Sequence, residues 1–207
     1  MNFFGHAAAA RRVDDDPAFM LGAMAPDLLP LCGAVAARET SAKVAAGGAH
    51  HLAVDALFHA TPAFMATQAW AARSLIQAGV ARGGARGAAH VGTELFLDGA
   101  LAGDLRARAA FTRSLANADT TDAPFIWCDE QSGTRWCRLV ERLREGAIPD
   151  RYRDPDFVAD RLVGALSRRP RLALAPHEAV ILRGFLPALG ARVTAEVDAL
   201  SGAILRG

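Results

Sequence analysis

Three histidines and an aspartate fall within ten residues of this chain: His50, His51, Asp55 and His59, inside a stretch (residues 47–64) that otherwise reads as a buried helix. Residues four apart share a helical face. His51, Asp55 and His59 therefore form one polar stripe, drifting by about 40° per step. Leu52, Val54, Leu57 and Phe58 around it are assigned to a core. An ionised carboxylate set among apolar groups is costly without a partner. The stripe thus calls for hydrogen-bond partners or for an ion, and imidazole and carboxylate are ligands of Zn, Mn and Fe.

A second segment repeats the pattern. His90, Glu94 and Asp98 lie at i, i+4 and i+8, on a helix that Val91, Leu95, Phe96, Leu97 and Leu101 make apolar. Two buried carboxylates cost several kcal/mol each, offset by Arg82, Arg86 and Arg106 or by a metal. Facing stripes of this kind are how carboxylate–histidine metal sites are built in helical bundles. His6, near the start of a first helix over residues 3–13, and Asp27, after a break at Ala25-Pro26, complete the candidate set. The metal ligands expected are His6, Asp27, His51, Asp55, His59, His90 and Glu94, with one to three divalent ions. His50 points about 100° away from His51 and is a candidate general acid or supporting residue. Asp98 is a candidate catalytic acid. Arg86, one turn before His90, is a candidate phosphate contact, the ordinary alternative being a solvated arginine. His177, after Pro176, reads as a plain helix-start residue.

Strand signals are nearly absent, with no sustained alternation and no Asn-Gly hairpin turn. The expected fold is all-α, a single-domain bundle of seven to nine helices. Residues 1–116 form the metal-binding core, 117–134 a loop or lid pinned by Phe125, Ile126 and Trp127, and 135–207 further helices on the same domain. Asp14–Asp16 before Pro17 marks a helix start. That second helix should end near Met24, since Pro26 breaks the ladder. ARGGARG, residues 81–87, reads as a flexible turn that matches no phosphate-loop spacing. The last segment, 176–205, carries Leu182, Phe185, Leu189, Val193, Val197, Leu200 and Ile204 on one stripe, kinked at Pro187. That stripe serves as core or as a homodimer seam.

Apolar residues are 52% of the 207, enough for a real core. The net charge of +1 gives no field drawing the chain to nucleic acid. Cys32, Cys128 and Cys137 are too few for a disulfide framework. No leader pattern opens the chain, and no window approaches the roughly 18 apolar residues of a membrane span. A cytoplasmic protein is expected.

The opening MNFFGH, then Leu21–Asp27 (LGAMAPD), then His51–Asp55 (HLAVD) resemble the acyl carrier protein phosphodiesterase family over roughly residues 1–102. Those enzymes are similar to HD-type metal-dependent phosphohydrolases. The resemblance implies an HD-like helical fold, a divalent metal (typically manganese), and removal of phosphopantetheine from acyl carrier protein. It makes His6, Asp27, His51 and Asp55 metal or catalytic residues and puts Glu94 and Asp98 at acidic positions. The chain departs from that family at Leu52 and Ala53, where basic residues are usual, and at Gly99, where His is usual. Residues 21–27, His51-x3-Asp55-x3-His59 and His90-x3-Glu94 are also similar to bacterial zinc-dependent phospholipase C-like proteins. That all-helical family cleaves phosphodiesters, and this resemblance accounts for His59 and His90. Both imply hydrolysis of a phosphodiester by metal-activated water. The alternatives are a helical protein that keeps the ligand scaffold to bind a small molecule, and an interaction module using the C-terminal helix.

Overall fold

A computed structural model of the chain describes residues 1–119, 124–146 and 148–205. Among them are eleven α-helices, one 3-10 turn and a single two-stranded sheet. The fold is all-α as expected, with more helices than seven to nine. Residues 105–116 and 148–151 form helices that periodicity did not single out, and the C-terminal segment is two helices. No helix among the described residues is long and apolar enough to cross a membrane, and the three cysteines are free. The chain divides into two units that interleave along the sequence. One comprises Met1, 58–100 and 149–203, the other 2–57, 101–148 and 204–207.

In the second of these, α1 (Phe3–Val13) lies where the sequence places it. Asp16 caps α2 (Pro17–Cys32), its carboxylate accepting from the Ala18 amide at 2.7 Å, with Pro17 in the first turn. The helix does not stop at Met24. Pro26 and Pro30 both lie inside it, so Asp27 projects from a continuing helix and not from a turn. Each interior proline costs about 3 kcal/mol. Burial of Phe19, Met20, Leu21, Met24 and Leu28, at roughly 1.5–3 kcal/mol each, outweighs that. Ala10, Phe19, Met20, Ala23 and Ala110 form a close cluster, and Phe111 packs between Phe3 and Phe4 at 6.0 and 5.4 Å. Ala110 and Phe111 belong to α6 (Leu105–Ala116), capped by Asp104.

Within the same unit, β1 (Ala36–Glu39) and β2 (Phe125–Trp127) pair antiparallel, Ala36 opposite Trp127 and Glu39 opposite Phe125, with an irregularity between Ala36 and Arg38. The expected loop over 117–134 therefore contains a 3-10 turn, a strand and the start of a helix among its described residues. Trp127 and Phe125 pack on Trp136 of α7 (Glu130–Glu145) at 5.9 and 5.3 Å, and α7, capped by Asp129, starts inside that range. The lid reading also covered residues 120–123, which lie outside the described residues.

The central helix, α3 (Ala42–His59), is not buried all round. Val44, Gly47, His51, Val54 and Phe58 make its covered stripe, whereas Leu52 and Leu57 are 68% and 58% exposed. Gly47 and Gly22 explain the geometry. A Cβ on Gly47 would stand 2.0 Å from the carbonyl oxygen of Phe19, and one on Gly22 2.1 Å from that of Val44. The two helix backbones touch because neither carries a side chain there.

The other unit holds α4 (Pro62–Gln77), α5 (Arg82–Leu101), α9 (Pro155–Ser167) and α10 (Pro176–Ala195). ARGGARG is not a flexible turn: from Arg82 on it is the first two turns of α5. Its glycines pack closely, since a Cβ on Gly83 would meet the Arg171 carbonyl oxygen at 2.3 Å and one on Gly87 the Leu166 side chain at 2.8 Å. Tertiary contact overrides the poor helix propensity of glycine. Glu178 fastens the same region, accepting from the amides of Ala81 and Ala175 at 2.6 and 2.7 Å. Leu182, Leu186, Leu189 and Val193 of α10 are core. The helix runs through Pro187 and ends at Glu196, after which α11 (Val197–Leu205) begins. In α4, Phe64 and Leu75 are buried, Trp70 is half-buried against Phe185, and Ile76 is exposed.

Candidate metal centre

Six of the seven expected ligands sort into two groups of three, and the seventh, Asp55, lies beside His6. The first is drawn from α1, α2 and α3: His6, Asp27 and His51 offer ligand atoms that all lie within 4.8 Å of one another. His6 is fully buried. Its Nε2 stands 3.5 Å from an oxygen of Asp55 and 3.9 Å from one of Asp27, and its ring stacks on His51 with centroids 3.7 Å apart. Neither nitrogen of His6 makes a hydrogen bond. The 3.5 and 3.9 Å separations are too long for N–H···O bonds. They suit neighbours on one ion, because bonds of about 2.0–2.1 Å at tetrahedral angles put ligand atoms about 3.3 Å apart. Burial pulls the His6 pKa down to about 4; the Asp55 carboxylate opposes this and His51 adds to it. The imidazole is thus neutral near pH 7, as a ligand must be.

His51 is prepared for the same role. Its Nδ1 lies 2.9 Å from the Ala23 carbonyl oxygen. A carbonyl only accepts, so Nδ1 carries the proton and Nε2 keeps the lone pair in the neutral ring. Metal-binding histidines are oriented by just such an outer hydrogen bond.

The second group is His59, His90 and Glu94, again within 4.8 Å of one another. Its focus is one oxygen of Glu94, which lies 2.9 Å from Nε2 of His59, 3.1 Å from Nε2 of His90 and 3.1 Å from the amino group of Met1. Burial by itself would raise the Glu94 pKa. The hydrogen bonds from His59 and His90, with the positive amino group, outweigh it and hold the carboxyl well below the usual range. Phe64 packs on both rings at 4.9 and 5.3 Å, and Phe58 on His59 at 5.4 Å. The amide of Gln68 meets Nδ1 of His90 at 2.9 Å. Turned by 180°, that amide presents oxygen in place of nitrogen, so it can orient His90 in either tautomer.

The expected single stripe on α3 therefore serves two groups: His51 and Asp55 go with His6 and Asp27, His59 with His90 and Glu94. A 100° step and a 40° drift were legible, but not which neighbour each residue would find. Asp98 is fully buried one turn past Glu94 and belongs to neither group. His50 lies against Phe19, centroids 5.4 Å apart, with burial and then His51 lowering its pKa. Arg86 is exposed on α5, one turn before His90. Gln68 and the Met1 amino group were not anticipated. The former had a signal, a polar residue one turn from Phe64 on the covered face of α4; the latter had none.

Both groups could hold a metal ion, and their nitrogen and oxygen donors match imidazole-and-carboxylate chemistry. Comparisons with protein-family models, with curated proteins and with solved structures found no match.

Proposed function

We propose that this protein is a metal-dependent phosphodiester hydrolase. The observation that carries the reading is His6: a fully buried imidazole, its nitrogens unbonded, placed with Asp27, His51 and Asp55 at ligand-to-ligand spacing. His6, Asp27, His51 and Asp55 would hold one ion, and His59, His90 and Glu94 a second. When bound, a divalent metal lowers the pKa of water and polarises phosphoryl oxygens. The chain's own groups do the rest. The Ala23 carbonyl fixes the ring of His51, Gln68 fixes that of His90, and Phe58 and Phe64 pack against the ring of His59.

The zinc-dependent phospholipase C-like reading is favoured over the acyl carrier protein phosphodiesterase-like one by a single feature. His59 and His90 converge on Glu94, and only the former resemblance accounts for those two histidines.

The test joins elemental analysis of protein purified without added metal to turnover of bis-p-nitrophenyl phosphate with Zn, Mn or Fe. Bound metal and metal-dependent turnover are expected. Metal that binds without turnover of any phosphodiester would leave a non-catalytic ligand-binding protein, and no metal binding at all would remove the reading altogether.

A further inference from the structure

Next to His90, α4 and α5 enclose a cleft of about 350 Å³. Its lining is of two kinds. Ala69, Ala72 and Ile76, on one face of α4, supply an apolar floor, while Arg73 from α4 and Arg86 from α5 supply two guanidinium groups. Neither arginine makes an ion pair among the described residues. The sixth lining residue is Gln68, whose amide also holds Nδ1 of His90. Arg86 and His90 are four apart on α5, hence on one face. Gln68 therefore stands between the cleft and the His59–His90–Glu94 group, lining the one and touching the other.

Two guanidinium groups lining one space can both reach an anion placed between them, and a guanidinium fork matches the oxygens of phosphate or carboxylate. We propose that this cleft is an anion subsite, in which Arg73 and Arg86 together hold a second anionic group of the ligand. The short apolar spacer bearing that group rests on Ala69, Ala72 and Ile76. Naming the ligand as substrate rests on the hydrolase reading, and its class is then a phosphodiester with one arm ending in a negative charge. The anion site itself depends only on the cleft.

Phenyl phosphate, an anion on an apolar ring, is the probe. Titrated calorimetrically into metal-free protein at low salt, it should bind one to one. Arg73→Gln and Arg86→Gln should each weaken binding about tenfold, added salt should weaken it further, and Arg38→Gln on β1 should leave it unchanged. All three arginines are exposed, so the variants should keep the wild-type melting temperature. Binding that is absent in the wild type, or equal in the wild type and both cleft variants, overturns the proposal. With metal restored, two p-nitrophenyl phosphodiesters are compared, one with a butyl and one with a carboxybutyl arm. Arg86→Gln should raise KM about tenfold for the charged arm only, with kcat unchanged; an equal effect on both arms refutes the assignment. If phenyl phosphate binds as described but neither diester turns over with any metal, the hydrolase reading falls and the anion site stands.

Discussion

Gly47→Ala is the sharpest test of how α2 and α3 bring His51 to Asp27. The added methyl would stand 2.0 Å from the Phe19 carbonyl oxygen and 2.8 Å from the Ala23 amide nitrogen, where ordinary contact begins near 3.4 Å. Both obstacles are backbone, so α3 must withdraw by roughly 1.4 Å, and forced overpacking of this kind costs about 1–3 kcal/mol. The same withdrawal stretches the His51–Ala23 hydrogen bond from 2.9 Å, losing about 1 kcal/mol. Replacing a helical glycine returns about 0.8–1 kcal/mol. The net is a loss of about 1–3 kcal/mol, or a fall in Tm of roughly 2–12 °C for a chain of this length. Gly48→Ala, one residue on, has its nearest atom 4.0 Å away. It should keep the helix gain and raise stability by about 0.8–1 kcal/mol. Thermal and urea melts of both variants decide the matter. Equal changes, or a Gly47→Ala protein as stable as wild type, would refute the claim that a side-chain-free crossing sets the first group.

Three further outcomes are expected. Elemental analysis of a protein holding two ions should show His6→Ala and His90→Ala each losing about one. Saturating metal at 100 times its Kd should stabilise the wild type by about 2.7 kcal/mol per site, and loss of both ions from either single variant would show that the groups do not act separately. Metal-free protein should lose stability as pH falls from 6.5 to about 4, because the unfolded chain protonates His6 before the folded one does. The effect is on the order of 3 kcal/mol, and a His6→Gln variant with the same pH slope by urea melts would contradict it. Gly184→Ala in α10, where a Cβ meets no atom within 4 Å, should raise stability by about 1 kcal/mol; a lower Tm would count against the described surface.

Helix existence was legible in this sequence at residues 3–13, and the start of α2 was legible from the capping chemistry of Asp16-Pro17. It failed where tertiary packing overrules local preference. Pro26 did not end α2 because the helix buries five large side chains, and Gly83, Gly84 and Gly87 did not make a turn because each faces another segment too closely for a side chain. The ligand types were legible for a different reason: a carboxylate and imidazoles at four-residue spacing are costly on a covered face. Their partners were not, since periodicity fixes the direction of a side chain and says nothing of the element it meets. Leu52 and Leu57 show the same limit, apolar residues on the side of α3 that no neighbour covers.

The two groups draw on short spans of chain, residues 6 to 55 for one and 59 to 94 for the other. Every proposed ligand has therefore been synthesised before the second half of the protein exists. Among the described residues the later helices supply none of the proposed donor atoms, so substitutions and insertions there leave those atoms in place. A lineage built on this plan could rewrite its C-terminal half while the proposed donor atoms, and the cleft of Arg73 and Arg86 beside them, stay fixed at the front.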